Sequence, residues 1–481
     1  MSTPALTKTP PARAGSPTAI LAVILVSYFM VLMDNSVIFT GLPSIRDDLD
    51  LSPTALSWIQ DAYTLVFGGL LLLGARAGDL LGRRRLFTVG LAIFGGASLL
   101  CGLAPSGGWL IAARALQGVG AAIVAPTSLA LITAYFDGDA RKKAVAAYAA
   151  TAGIGASLGL IVGGALTDLV SWRAAFLINV PIAAGVIVGS RLVLNETPRH
   201  RGTFDVVGAA CATFGMGLLV FGAIESADAG WRSVKVVAAL TFGLVLLACL
   251  VVDEAHARQP IMPLRLFRSR ERSGAYAVRF LYLCAMIGFF YFTTQLMQDG
   301  LGFTPFQAGL GFLPMTLVNF AVALTVPRLL RRYSEPTLLF VGVLTTVAGM
   351  FWLSRFGADG TYLPSVALPM ILVGAGQGLA FAPLTGLGLA GVDADDAGAA
   401  SGVLNTFHQL GMAFGLSLLV AISVNSGTGF AGVEAVTRHV GVALSGASLM
   451  LVLAAIVVAI VFVPVQYSSR RQSTHRQQSG A

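Results

Sequence analysis

Gly74-Ala75-Arg76-Ala77-Gly78-Asp79-Leu80-Leu81-Gly82-Arg83-Arg84-Arg85 separates two apolar runs, Leu65 to Leu73 before it and Leu86 to Leu103 after it. A connection this short holds no domain. Four arginines and one carboxylate between two hydrocarbon-soluble stretches read as a loop at a membrane face. Gly78 and Gly82 are expected to permit tight turns. Arg83, Arg84 and Arg85 are expected to mark the cytoplasmic side, and Asp79 to lie near the start of the next helix, where the dipole favours a carboxylate. A plain charged loop that only orients the chain accounts for the same residue types.

Composition leads to the same class. The 481 residues are 56% hydrophobic and 11% charged, against about 25% charged in soluble domains, and the mean hydropathy is +0.80. An all-α integral membrane protein follows. The net charge of +8 sits in short loops and tails rather than on a stripe or in a basic module, so no nucleic-acid partner is expected. Cys101, Cys211, Cys249 and Cys284 lie inside apolar runs without pairing or metal spacing and are expected to be free, buried and inert. The segment from Met1 to Thr18, rich in Pro, Thr and Ala, is expected to be a disordered tail before a retained first helix.

Apolar stretches long enough to cross about 30 Å of hydrocarbon number fourteen: 20–42, 56–75, 86–104, 109–134, 142–166, 174–194, 205–226, 234–252, 273–297, 306–328, 337–356, 363–390, 398–424 and 441–465. An even number puts both ends on one face. Of the 31 basic residues, 23 fall in the tails and alternate loops on that face, 6 in the opposite loops, and Arg114 and Arg279 within or at the ends of helices. Both termini are therefore expected to be cytoplasmic, in a multi-pass protein of the cell membrane.

A repeat appears at an offset of 256 residues: Gly155 and Gly159 recur as Gly411 and Gly415, and Pro126 recurs nearby as Pro383. Repeated helical halves with a site at their interface are a common transporter architecture. The resulting parse is a tail (1–19), a six-helix bundle (20–200), two extra helices (201–254), a linker (255–272) containing Pro260 and Pro263, a second six-helix bundle (273–466) and a tail (467–481).

Five motifs then resemble the major facilitator superfamily, and within it the fourteen-helix drug:proton antiporter branch. Gly74 to Arg85 looks like that family's loop between helices two and three, with Leu80 where a basic residue is usual. Arg114-Ala-Leu-Gln117-Gly118-Val-Gly120 looks like its fourth-helix motif, whose arginine the resemblance assigns to proton coupling. Gly155-Ala-Ser-Leu-Gly159-Leu160-Ile-Val-Gly163-Gly164 is similar to its fifth-helix antiporter motif, with Leu160 in place of the usual proline. Leu32-Met-Asp34-Asn35 through Gly41-Leu42-Pro43, and Trp172-Arg173 through Asn179-Val-Pro181, are similar to segments of the same branch. The resemblance implies a major facilitator fold, drug export coupled to protons, a monomer, and a proton gradient in place of any cofactor.

An ionisable group in hydrocarbon costs about 2.5–3.5 kcal/mol on insertion scales, so it needs a partner or a purpose. At 1.5 Å per residue, Asp34, Asp61 and Arg114 all fall roughly 8–12 Å below the outer surface. An arginine beside a carboxylate favours its charged form while desolvation opposes it, which makes a switch. Ser27, Asp34 and Gly41 share one helical face, as do Asp61, Thr64 and Gly68, consistent with a water-lined cavity. Competing readings are a helix-bending polar residue for Asp34, a snorkelling carboxylate for Asp61 and a structural bridge for Arg114. His408, near mid-membrane, is a proton-carrier candidate or a satisfied core histidine. Asp34, Gln295, Asn319, Asn405 and Tyr291 are substrate-contact candidates, against packing or lipid contact.

The function these residues support is proton-driven export of hydrophobic or cationic drugs by alternating access. No Gly-x-x-x-x-Gly-Lys-Ser/Thr pattern suggests ATP drive, and no catalytic or metal-ligand constellation suggests an enzyme. A nutrient facilitator, a lipid flippase and a non-transporting sensor remain as alternatives. Reporter fusions at each terminus are expected to place both on the cytoplasmic side; opposite placement would overturn the helix count.

Overall fold

The computed structural model describes residues 16–197, 205–257, 262–357, 359–392 and 396–478. Fourteen helices have membrane-spanning length and composition: α1 (Pro17–Leu49), α2 (Pro53–Gly78), α3 (Arg83–Gly102), α4 (Gly107–Tyr135), α5 (Gly138–Leu169), α6 (Trp172–Val193), α7 (Val206–Ala227), α8 (Val234–His256), α9 (Arg270–Gly300), α10 (Pro305–Leu329), α11 (Glu335–Leu353), α12 (Leu363–Leu389), α13 (Gly398–Ser423) and α14 (Gly432–Phe462). Among the described residues there is no strand. In hydrocarbon each backbone donor must be satisfied within its own helix. Serine caps followed by proline start α1 and α2, where Ser16 accepts from the Ala19 N–H and Ser52 from the Ala55 N–H.

The opening stretch folds differently from expectation. Ala75, Arg76, Ala77, Leu80 and Leu81 are helix formers, so the helix that begins at Pro53 runs on to Leu81, and Gly78 is helical rather than a turn residue. Only Gly82 turns, with φ +101°, a conformation that favours glycine. Asp79 therefore lies by sequence in the last turn before Gly82, not at the start of α3; its side chain lies outside the described residues. The carboxylate that satisfies the α3 N-terminus is Glu196, 111 to 112 positions downstream: it accepts from the Arg84 N–H at 3.2 Å and the Arg85 N–H at 3.1 Å. Thr197 accepts from the Arg83 N–H, and the Arg83 guanidinium donates to the Ala130 carbonyl of α4.

Helices associate in lipid by close packing of small residues, and the two halves pack alike. In the first, Gly155, Gly159 and Gly163 lay α5 on α1; a Cβ at Gly159 would lie 2.7 Å from the Met33 carbonyl oxygen. In the second, Gly411 and Gly415 lay α13 on α9, against the backbones of Phe280 and Cys284. Gly118 brings α4 onto α2 at the Tyr63 carbonyl as Gly378 brings α12 onto α10 at the Asn319 carbonyl, and Gly74 meets the Ala122 carbonyl of α4. The 256-residue repeat is thus a repeat of helix contacts.

The halves meet along α2 with α13, α5 with α10, and α1 with α9. The extra pair lies at the flank of the first seam. α7 packs on both α2 and α13 through Met216, Val220 and Ile224 against Leu65, Leu410 and Ala413, and α8 packs on α7. All four cysteines are free; Cys101 and Cys284 are buried as expected, whereas Cys249 is exposed on α8, one of the helices least enclosed by neighbours.

Gly159→Val is expected to lower the thermal unfolding midpoint by several degrees, since the Met33 backbone cannot withdraw. Gly153→Ala, with nothing within 4 Å of its new Cβ, is expected to leave the midpoint within a degree. Fluorescence-detected size exclusion after a heat ramp reads both.

Candidate functional site

α4 presents Arg114 and Gln117 one turn apart, on the face that Gly118 presses against α2. Their side chains converge on Asp34 of α1, which is 0% exposed. Arg114 donates through Nη1 to Asp34 Oδ2 at 2.7 Å, and Gln117 and Asn179 donate to Asp34 Oδ1 at 2.8 and 2.7 Å. Arg114 also donates from Nε to the Ile59 carbonyl at 3.1 Å and from Nη1 to Gln117 Oε1 at 2.7 Å, and its guanidinium lies 4.2 Å from the Tyr63 ring centroid. Gln117 donates onward to Ser98 of α3 at 2.7 Å. One buried pair thereby ties together α1, α2, α3, α4 and α6. Charge-assisted, fully donated carboxylates of this kind are the strong members of their class.

Asp61 does not join it. It too is 0% exposed, but neither carboxylate oxygen has a hydrogen-bond partner. The neighbouring Gln60 turns instead to Asn35 Oδ1 at 2.9 Å. Tyr291 of α9 lies within electrostatic range of Asp61, Arg46 and Asp299, so Asp61 sits between the halves, under the contacts that close one face of the molecule.

Those contacts are specific. Arg46, near the end of α1, forks onto Asp299 of α9, Nη1 to Oδ2 at 2.8 Å and Nη2 to Oδ1 at 3.1 Å. A wide π-type turn over Leu296–Gly300 aims Asp299 and Gln298 at α1, and Gln298 donates to the Thr40 carbonyl at 2.8 Å. On the other seam Gly164 meets Pro305 and Phe306 of α10, and Gly309 meets the Leu160 carbonyl of α5. All of this lies on the face opposite the arginine-rich loops. Toward the arginine-rich face, among the described residues, α4 and α5 form no packed interface with α12 or α13.

The remaining candidates are dispersed. Tyr291 is buried, and Gln295 donates only to the Tyr291 carbonyl of its own helix at 3.4 Å. Asn319 is half-buried where α10 meets α12. Asn405 is exposed on α13 and donates to the Ser401 carbonyl at 3.1 Å. His408 is half-buried, its Nδ1 has no partner, and its ring stands edge-on to Phe381 with centroids 6.2 Å apart; it is not a satisfied core histidine. The expected substrate contact at Asp34 is corrected for this conformation, because both of its oxygens are already held by protein donors. Asp393 and Asp395 lie outside the described residues. Asp396, just before α13, pairs with Arg265 of the linker, and that guanidinium holds its carboxyl below the usual carboxylate range.

Sequence reasoning did not single out Asn179, Ser98, Glu196 and Asp299 for these roles. Arg279 was visible as a basic residue within a helix and was given no role. Its signal was present, since a charge at the seventh residue of the apolar run 273–297 invites explanation as Asp34 does.

Comparison with known proteins agrees with this geometry. Residues 24–416 match the family model described as Major Facilitator Superfamily. The chain is 37% identical over 454 residues to the cephamycin export protein CmcT of Amycolatopsis lactamdurans, covering 93% of each. It is 38% identical to the puromycin resistance protein pur8 of Streptomyces alboniger, over 84% of this chain and 82% of that protein. It is also 34% identical to the multidrug efflux pump LfrA of Mycolicibacterium smegmatis, over 87% of this chain and 82% of that protein. A bacterial homologue of the human lysosomal transporter Spinster shares the fold, with a TM-score of 0.65 at 15% identity over 92% of this chain and 96% of that one. The chain belongs to the major facilitator superfamily; it is a membrane transporter and not an enzyme.

Removing one partner of a buried ion pair costs about 3–5 kcal/mol, because the other charge is left uncompensated. Asp34→Leu and Arg114→Leu are each expected to lower the unfolding midpoint strongly, and the double variant by less than the sum of the two. Thermal unfolding of purified protein reads the cycle; strict additivity would show that the pair is not coupled.

Proposed function

We propose that this superfamily member exports hydrophobic small-molecule drugs or antibiotics by alternating access, exchanging cargo for protons, with the arginine-rich face in the cytoplasm. The named relatives, two antibiotic export or resistance proteins and one multidrug pump, support the direction and the cargo class. The excess of basic residues on one face supports the orientation. The observation that carries the proton coupling is Asp61: a carboxylate at membrane depth with no donor, no cation and no exposure, beneath a closed outer face.

Asp34 and Asp61 divide the work in this reading. Asp34 stays paired to Arg114 and holds five helices in register. Asp61 takes a proton when the outer face opens and water reaches it, and as a neutral acid it is sealed beneath the Arg46–Asp299 fork. Sealing it as an anion would leave an unpaired buried charge, at a cost of several kcal/mol. That cost ties closure to proton loading. The proton then leaves toward the cytoplasmic face, where α4 and α5 stand apart from α12 and α13, and cargo binds. A driving force of ~150 mV supplies about 3.5 kcal/mol per proton, enough for a several-hundred-fold gradient.

Everted membrane vesicles loaded by a pH gradient test this, with puromycin among the probes. Asp61→Asn is expected to abolish gradient-driven accumulation, by about tenfold or more, while downhill counterflow persists; unchanged accumulation refutes the assignment. Arg46→Asp and Asp299→Arg are each expected to slow transport, and the double exchange, which restores the fork, to recover it; a double exchange as slow as either single one would remove the fork from the cycle.

A further inference from the structure

The second half carries a buried cation that nothing described so far employs. Arg279 is about 14 Å into α9 at 1.5 Å per residue and 3% exposed. Its Nε and Nη1 are both buried without a hydrogen-bond partner, which leaves each of the two bidentate edges of the guanidinium short of an acceptor. Among the described residues no carboxylate lies within ion-pair distance of it. Its neighbours are aromatic. The guanidinium lies 3.9 Å from the centroid of Phe381 on α12, and Tyr28 of α1, Tyr282 of α9 and His408 of α13 lie within electrostatic range.

Arg114 shows how this chain settles a buried arginine when the purpose is structural: a carboxylate, a backbone carbonyl and an amide oxygen. Arg279 has none of these. A cation–π contact with Phe381 compensates only a fraction of the cost of burying a charge. The place is also where a ligand would arrive. Tyr28 belongs to one half and Phe381 and His408 to the other, so Arg279 lies at their junction. Phe381 is 36% exposed, and Asn405, one turn from His408 toward the arginine-rich face, is exposed as well. An accessible strip thus leads from the arginine-rich face to the guanidinium.

We propose that Arg279, backed by Phe381 and His408, is an anion subsite that binds the carboxylate of an organic acid whose apolar body stacks on Phe381. Guanidinium matches carboxylate in planar, two-bond geometry, and the aromatic wall accepts the rest of the molecule. The substrate class at this point is therefore an aromatic or amphiphilic carboxylic acid, not a cation. Only the description of this ligand as cargo rests on the export reading.

The test uses the purified full-length protein in nanodiscs of zwitterionic lipid, with naphthalene-2-carboxylate, its methyl ester and naphthylmethylammonium as probes in equilibrium dialysis. The carboxylate is expected to bind about tenfold more tightly than the ester or the ammonium. Arg279→Gln is expected to reduce that preference to about twofold or less while ester binding holds, and Arg279→Lys to retain part of it. Equal or tighter binding of the ester or the ammonium by the unaltered protein overturns the proposal, whether or not any variant folds, as does a carboxylate preference that survives Arg279→Gln. Competition by added phosphatidylglycerol would assign the subsite to a lipid phosphate and overturn the cargo carboxylate. If the preference is present but everted vesicles accumulate neither acid nor ester, the subsite stands and the export reading falls.

Discussion

The first half of this transporter depends on one buried pair. Asp34 and Arg114 come from α1 and α4, helices that also pack through Ile24, Val31, Val124 and Leu131. Once paired, they draw in Gln117, Ser98, Asn179 and the Ile59 carbonyl until Asp34 is fully donated. In water such a pair would compete with solvent and add little. At membrane depth the alternative is an unpaired charge in hydrocarbon, so the pair decides which faces of five helices turn inward. The two groups assigned to the proposed cycle lie around it: Asp61 one helix away without hydrogen-bond partners, and the Arg46–Asp299 fork above.

Packing does for the second half what charge does for the first. Gly411 and Gly415 let α13 lie on the α9 backbone as Gly155, Gly159 and Gly163 let α5 lie on α1. With lipid as apolar as leucine, shape and contact must supply the association energy. The halves consequently share a framework and differ in their polar content. One buries an arginine with its counter-charge; the other buries Arg279 among rings.

Much of this was legible in the residues, for a physical reason: membranes make length and charge count for more than propensity. Most helix ends fall within about four residues of the expected spans; the larger differences are at α1, where Arg46, Asp47 and Asp48 stay helical past the hydrocarbon edge, and at α14, which begins at Gly432 rather than 441. Asp34, Asp61 and Arg114 were identifiable because a charge in hydrocarbon is expensive. Their partners were not, since cost is a property of one residue and pairing a property of two, often far apart in the chain. Asp79 was placed at a helix start on local grounds, whereas the acceptor there is Glu196, beyond three further helices. Gly78 and Gly82 look alike in sequence; only the handedness of the backbone at the second separates a turn from a helical position.

The position of α7 breaks an equivalence that the duplicated halves would otherwise have. Because it leans on both α2 and α13, one boundary between the lobes is walled by protein along its flank, and among the described residues the boundary at α5 and α10 has no such cover. Rocking of the lobes must then shear α7 on one side and part freely on the other, like a door hung on a single jamb. In the proposed cycle, acyl chains and anything dissolved among them would then reach the interior from the side of α5 and α10.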